Sequence, residues 1–473
     1  MRKTKIICTL GPASDDEEIL RKMMKNGLDC ARLNFSHGTH EEQKVRMERV
    51  KKLRTELNIP LPILLDTKGP EIRVRLFKDG KVSLKKGQEF TFTDNFDELG
   101  DETHIGLTYP DLAKYVNKPG IIILADDGKV SFEVLRIEGK NIVTKVLNDA
   151  TLSNRKSINI PNVIVDMPYI SKVDREDIIF GIQECVDYIA ASFVRRKEDV
   201  YEVRKLIDEY DTSGKIKIIS KIENTEGIAK MDEIIEASDG VMVARGDMGV
   251  EVPFVQLPKI QKEIINKCYK AGKIVVTATQ MLDSMQQNPR PTRAEISDVA
   301  NAIYDKTTAI MLSGESAAGK YPVESVTAMR DIAEFTESDI DYRDLYDQED
   351  LELGEDFLSS ICNAAVRCAN QVEAKAIISV TGHGATAFKL SAYRPVCPII
   401  AVTVNEKACR QLNLAWNVYP VYAEHKNSTD ELFKYAIEKA LETGIVKHGD
   451  TVVITGASSV GNAITDTIKV HIL

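Results

Sequence analysis

Eight short runs rich in Val, Ile and Leu stand out along the chain, at residues 4–10, 31–36, 63–67, 188–194, 217–223, 241–247, 274–281 and 309–315. Most show little polar alternation, the pattern of strands buried on both faces. Between most of them the apolar period lengthens to that of an amphipathic helix, as over 15–26, 41–57, 196–210 and 256–271, the last with Pro253 and Pro258 at its start. Strand–helix alternation builds a parallel sheet, and eight such units predict a closed (β/α)8 TIM barrel.

One stretch breaks that rhythm. Residues 82–93 alternate around Lys85-Lys86-Gly87, residues 121–135 carry Asp126-Asp127-Gly128, and residues 136–146 carry Glu138-Gly139-Lys140-Asn141. These are hairpin signals. They predict an all-β domain over 70–167, inserted after the third barrel strand, where a lid over the mouth would hang. Barrel segments 1–69 and 168–340 flank it. After a helix over 323–335, the acidic stretch 337–356 reads as a linker. Alternation then resumes, with helices over 358–372, 385–393 and 429–443 and strands over 376–381, 399–404, 451–455 and 468–473. This predicts a second, open-sheet α/β domain over 341–473.

Composition narrows the class. The 473 residues are 43% hydrophobic and 28% charged, an ordinary globular balance that excludes a disordered or collagen-like chain. Apolar runs stay far below the roughly 20 residues of a membrane span. The apolar stretch behind the basic start stops at Gly11-Pro12, too early for a secretory signal. The 72 Asp and Glu outnumber the 62 Lys and Arg, which argues against nucleic acid as partner. The eight cysteines include no C-x-x-C pair, and reduced thiols in a cytoplasmic protein are expected.

In such barrels the chemistry gathers where strands end. Arg32, Asn34, Ser36 and His37 follow strand two, and Asp66, Thr67, Glu71 and Arg73 follow strand three. Ser192 ends strand four, Lys221 and Glu223 end strand five, and Ala244, Arg245, Gly246 and Asp247 end strand six. Thr279 ends strand seven, and Ser313 and Glu315 end strand eight. Glu223 and Asp247 are hard carboxylates suited to Mg2+ or Mn2+. Lys221 lies two residues before Glu223, so both point to one side of a strand. A cation beside a divalent metal is what a transferring phosphoryl group needs, and Arg32 and Arg73 add bidentate phosphate contacts. Asn34, Ser36, Asp66 and Thr67 offer hard oxygens for a weakly held monovalent cation. No Ser-His-Asp elbow, Walker loop or G-x-G-x-x-G after a strand is present. Singly, each residue has a plainer reading: Arg245 as structural, Asp126-Asp127-Gly128 as a turn, His37 as a helix cap. The joint occurrence at nearly every strand end carries the functional reading.

The strings KTKIICTLGPAS (3–14), ARLNFSHG (31–38), LDTKGPEIR (65–73), SKIEN (220–224), MVARGDMG (242–249), TATQM (277–281) and LSGES (312–316) closely resemble the pyruvate kinase family, in order along the whole chain. The resemblance implies transfer of a phosphoryl group from phosphoenolpyruvate to ADP, giving pyruvate and ATP. It implies that Lys221 neutralises the group in flight, that Arg32 and Arg73 bind phosphate, and that Glu223 and Asp247 hold the divalent metal. Residues 244–247 would open a short helix that receives the substrate carboxylate, with Ser313 in the same substrate set. Thr279 would take part in protonating the enolate. Arg32, His37 and the lid lysine Lys156 would meet the nucleotide, and Asn34, Ser36, Asp66 and Thr67 would hold K+. Glu71 stands where relatives that require K+ carry Glu, so K+ dependence is expected.

The resemblance also implies a cytoplasmic homotetramer. An effector site is expected at TGHGAT (381–386), with Thr381, His383, Gly384 and Thr386, and a second effector loop at 456–462. Fructose 1,6-bisphosphate, a sugar monophosphate or AMP remain open as its ligand. Ser157 departs from a frequent family Gly, and His383 stands where a hydroxyl is often found. Some relatives carry a further C-terminal domain, which is not expected after Leu473. Two other readings are a metal-dependent lyase or aldolase acting on pyruvate enolate, and a non-catalytic metabolite sensor. The first needs neither a lid lysine nor a K+ site. The second would be expected to lose Lys221, Glu223, Asp247 or Thr279.

Overall fold

A computed structural model describes residues 1–473 except 96, 212–214, 350, 352, 427 and 460–463. Eight parallel strands close a barrel in sequential order: Lys5–Thr9, Cys30–Asn34, Ile63–Asp66, Tyr188–Ala191, Lys217–Ile222, Gly240–Ala244, Ile274–Ala278 and Ala309–Leu312. The first pairs with the eighth, Lys5 opposite Ala309, which completes the ring. Inside it, Ile7, Leu64, Tyr188, Ile219, Met242, Val276 and Met311 fill the space, so the barrel is a packed core with no channel. Outside it, a larger apolar layer joins the strands to the surrounding helices.

The strands end one to three residues sooner than their apolar runs suggest. The clearest case is 241–247, which divides into the strand Gly240–Ala244 and the helix Arg245–Glu251. Ladder hydrogen bonds stop at the mouth, where the chain is free to turn. Two barrel helices, Lys172–Gln183 and Arg293–Tyr304, are absent from the sequence reading. Their local signals are present all the same: Thr292 and Glu295 form a capping box, and Ser171 caps onto the Asp174 N–H.

Residues 72–159 hold the inserted β structure, a seven-stranded sheet and a two-stranded one around Phe90, Phe92 and Phe132. The last β structure is a five-stranded sheet with four parallel strands and one antiparallel edge, Thr467–Ile472. Its opposite edge strand, Val418–Tyr422, was not visible as a strand because Pro420 interrupts it. A proline is tolerated there because an edge strand leaves one N–H side unpaired.

The acidic stretch 337–356 is not a loose linker. The helix Pro322–Asp339 runs through Glu337, whose carboxylate accepts the N–H groups of Lys3 (2.7 Å) and Thr4 (2.5 Å), and a second helix spans Tyr342–Glu349. Charge density reads as solvation in a sequence, but these donors satisfy Glu337 in a buried joint.

The C-terminal unit fits under the N-terminal ends of the barrel strands. Asp187 takes Arg410 at 2.8 Å, Lys5 donates to the Val418 carbonyl at 2.7 Å, and Asn413 donates to the Asp29 carbonyl at 2.8 Å. The inserted β unit lies at the other end, over the mouth.

Candidate active site

Strand pleating and loop entry bring the predicted residues to one rim. Lys221 ends the fifth strand, with its side chain buried against three oxygens: Asp66 Oδ1 at 3.1 Å, Ser192 Oγ at 2.8 Å and Glu223 Oε1 at 3.0 Å. Arg32, one strand over, donates its Nε to Asp66 Oδ2 at 2.6 Å and its Nη1 to Thr9 Oγ1 at 2.7 Å. Asp66 is therefore shared by two cations. Burial pushes its carboxyl up, but Arg32 and Lys221 outweigh burial and hold it below the ordinary range. Burial would strip Lys221 of its proton, yet Asp66 and Glu223 more than reverse this and push its pKa up. The ammonium charge is thus fixed at a largely buried position on the barrel rim.

Glu223 is fully buried. Its Oε2 accepts the Phe193 N–H at 2.6 Å, while Oε1 has the Lys221 ammonium 3.0 Å away as an ion-pair partner and accepts no aligned hydrogen bond. Burial pushes its pKa up to about 8, Lys221 pulls against that, and Asp247 adds to the rise. One ammonium, shared with Asp66, faces this carboxylate while Asp247 adds a second negative charge beside it, so acid outweighs cation at this spot.

These groups open on a cleft of about 260 Å3. Arg32, Lys221 and Asp247 line its barrel side together with Asn34, Ser36 and His37. Burial, then Arg73 and Arg32, lower the His37 pKa, which leaves this ring neutral. Arg73, Lys156 and Ser157 line the lid side. Arg73 is held by Glu71 (Nε to Oε2, 2.8 Å), and Lys156 rests on Asp126 at 2.9 Å.

Eight of the residues expected at the active site do not line this cleft: Asp66, Thr67, Glu223, Ala244, Arg245, Gly246, Thr279 and Ser313. Asp66 and Thr67 lie behind it, where Thr67 Oγ1 accepts the Ser192 N–H at 3.1 Å. Thr279 stands beside the mouth in a left-handed backbone conformation, φ 74°, which is strained for a β-branched residue. Gly246 lies opposite, where a Cβ would stand 3.0 Å from Thr279 Cγ2, a contact tight enough to push on that side chain. The Arg245 side chain points away from the cleft, with Nη1 on Asp298 at 2.6 Å and Nη2 on the Thr279 carbonyl at 2.6 Å. Ser313 opens the short helix Gly314–Ala317, and its N–H donates to Glu315 Oε2 at 2.8 Å.

Some of the functional geometry was missed. Ser192 is a hub, accepting Lys221 while donating to Asp66 and to the Thr67 carbonyl (2.6 Å). Its only sequence signal was its place at a strand end. Asp126 does form the turn its sequence suggests, with φ 51°, yet it also holds Lys156. Asp298 sits on a helix that the sequence reading did not find.

In the C-terminal unit a second cavity, about 680 Å3, is lined by Thr381, His383 and Thr386 with Lys215, His425 and Lys426. Gly384 closes the turn at φ 88°, and its N–H donates to Thr381 Oγ1 at 3.1 Å. Thr386 meets Thr465 through their hydroxyls at 2.6 Å. Of the second effector loop, residues 460–463, and with them Gly461 and Asn462, lie outside the described residues.

A buried lysine, two arginines and paired acids at the mouth of a lidded barrel define a phosphotransferase. Comparison with known proteins gives the same class and a family. Residues 1–326 match the family described as pyruvate kinase, barrel domain, and residues 359–471 match pyruvate kinase, alpha/beta domain. The pyruvate kinase of Clostridium acetobutylicum is 48% identical over 474 residues, covering all of both chains. That of Geobacillus stearothermophilus is 48% identical over 475 residues, covering all of this chain and 80% of the relative. A crystal structure of a pyruvate kinase from Cryptosporidium parvum superposes with a TM-score of 0.94 at 38% identity, covering 100% of this chain and 96% of that one. The chain belongs to the pyruvate kinase family, whose reaction moves a phosphoryl group from phosphoenolpyruvate to ADP and yields pyruvate and ATP.

Proposed function

We propose that this reaction runs in the cleft between Lys221 and the lid, on the residues that the geometry gathers there. The observation that carries the assignment is the buried Lys221 ammonium, fixed by Asp66, Ser192 and Glu223 and opening on the cleft beside Asp247. Phosphoenolpyruvate and ADP are both polyanions, and they approach each other only where fixed cations offset their charge. Arg73 and Lys221 receive the phosphoryl oxygens from two sides, Arg32 backs them, and Lys156 leaves Asp126 for the nucleotide phosphates. His37, kept neutral by its cationic neighbours, offers a hydrogen bond at the nucleotide edge. Gly246 and Asp247 place the substrate carboxylate end, with Ala244, Arg245 and Ser313 shaping the loops around it. Once the phosphorus–oxygen bond has broken, the Thr279 hydroxyl delivers a proton to the enolate carbon, directly or through water.

Glu223 and Asp247 are the residues that would hold Mg2+ or Mn2+. The fit is chemical: two hard carboxylates, one with a buried oxygen that accepts no aligned hydrogen bond and meets only the Lys221 ammonium, leave further coordination places to substrate oxygens and water. When bound, such a cation supplies Lewis-acid neutralisation of the phosphoryl oxygens. Asn34 and Ser36 at the cleft wall, with Asp66 and Thr67 behind them, would hold K+, and the neighbouring Glu71 adds negative charge. The wider assignment is a cytoplasmic enzyme divided at 1–69, 70–167, 168–340 and 341–473. It works as a homotetramer, a reading supported by exposed Phe254 and Val255 and by Val470 and Ile472 on the last edge strand. A phosphorylated effector, either a sugar phosphate or AMP, would bind at Thr381, His383, Gly384 and Thr386.

The test is pyruvate formation, coupled to lactate dehydrogenase, from phosphoenolpyruvate and ADP. Rates should collapse without a divalent cation and fall strongly when K+ is replaced by Na+ or Tris. Equal rates in K+ and Tris would remove the monovalent site. Pyruvate formation independent of ADP would remove the phosphotransfer assignment.

A further inference from the structure

The lid and the barrel mouth meet on one short helix. Arg245–Glu251 begins with Gly246 and Asp247 at the substrate end and finishes with Val250 and Glu251 under the lid. Asp247 and Glu251 are four residues apart, so both stand on one helix face. From the lid, Asn159 Nδ2 donates to Glu251 Oε1 at 3.0 Å. Beside it the lid turn rests on Val250, where a methyl group on Gly128 would stand 3.7 Å from Cγ1. Asn159 closes the strand Ser157–Asn159, which begins directly after Lys156 and pairs Ser157 with Arg73. One amide therefore links the lid strand next to Lys156 and Arg73 to the helix that carries Asp247. Among the described residues, the Asn159 amide is the one side-chain donor to Glu251. Burial, and the Asp247 charge behind it, hold the Glu251 carboxyl above its usual range, and only Asn159 counters this.

We propose that Glu251 is a positioning residue: through Asn159 it sets the angle of the lid, and so the height of Lys156 above the cleft, and it couples that angle to the Asp247 end of the same helix. The coupling rests on the reading of Lys156 as the nucleotide lysine, whereas the latch itself does not. Two measurements on the full-length enzyme separate them. The first is amide hydrogen exchange in residues 126–129 and 157–159 with neither substrate nor metal added. Glu251→Ala should speed it about fivefold or more, and Glu251→Gln, which keeps an acceptor for Asn159, should stay within about twofold. The second is steady-state kinetics, where Glu251→Ala should raise the KM for ADP about tenfold with a smaller change in kcat, and Glu251→Gln should restore it. If Glu251→Ala does not fold, Asn159→Ala makes the same test from the lid side. Unchanged exchange in the Ala variant that folds overturns the latch, whatever the KM does. Faster exchange with an unchanged KM for ADP upholds the latch and overturns the coupling to Lys156.

Discussion

The barrel carries an appendage at each end, and the two are fastened by opposite means. At the N-terminal face the joint is closed and saturated. Asp187 is fully buried, yet Arg410 and the Ile63 N–H satisfy both its oxygens. Gln411 donates to the Asp187 carbonyl, the Tyr188 hydroxyl donates to the Gln411 carbonyl, and Arg394 stacks over Trp416 at 4.4 Å while donating to the Lys306 carbonyl. At the mouth the charges are as numerous but incomplete. Glu223 Oε1 shares the Lys221 ammonium with Asp66 and accepts no aligned hydrogen bond, Lys156 is parked on another lid residue, and a single side-chain amide reaches Glu251. Buried charge at the rear is satisfied by the protein itself, as a structural joint requires. At the front it is left for something that arrives.

Four substitutions would break or sharpen that contrast. Asp187→Ala strands Arg410 in the joint and should cost about 3–5 kcal/mol of stability, read from denaturant unfolding, with turnover per folded molecule nearly unchanged. A loss of turnover at constant stability would show that the rear joint is not merely structural. Lys221→Met should do the reverse, lowering kcat by about 10²–10³ while the far-ultraviolet dichroism and melting temperature stay near those of the parent. A variant within tenfold of the parent would end the role given to Lys221. Lys156→Met should raise the KM for ADP about tenfold, leaving the KM for phosphoenolpyruvate within about twofold.

The fourth substitution concerns pH. Burial pushes the Lys5 ammonium, in the rear joint, down to about 8 from its ordinary value of 10.5. Between those values the unfolded chain binds the proton that the folded one has released, so this residue makes stability rise with pH across the window. Lys5→Met should lack that contribution, and its stability relative to the parent should fall by roughly 3 kcal/mol from pH 8 to 10.5. Parallel curves would show that Lys5 keeps its charge.

The contrast also explains what the sequence made legible. The barrel strands announced themselves because a strand buried on both faces must be apolar throughout, and the mouth residues because each stands at the end of such a run. Lys221 and Glu223 needed no more than a two-residue spacing to be placed on one side. The rear joint left no such trace. Arg410 and Asp187 are 223 residues apart, and nothing local to either marks the other. Ser192 and Asp298 escaped for the same reason, since their roles lie in what faces them. The strand at Val418–Tyr422 was hidden by Pro420, whose acceptability depends on its being an edge, a property of the assembled sheet.

The entrance and exit of the inserted β unit touch. Asp174, capped by Ser171 on the way out, accepts the N–H groups of Lys68 (3.1 Å) and Gly69 (2.9 Å) on the way in. This bears on assembly kinetics. Strands three and four of the barrel must find each other across a separation of 124 residues, an entropically slow search for an open chain. If the insert folds first, on its own local hairpins, it brings the two ends together and leaves only residues 67–71 and 160–187, the helix Lys172–Gln183 among them, to be ordered. Pulse-labelled exchange during refolding should then protect Phe90, Phe92 and Phe132 before Leu64 and Tyr188, and the opposite order would show that the barrel closes unaided.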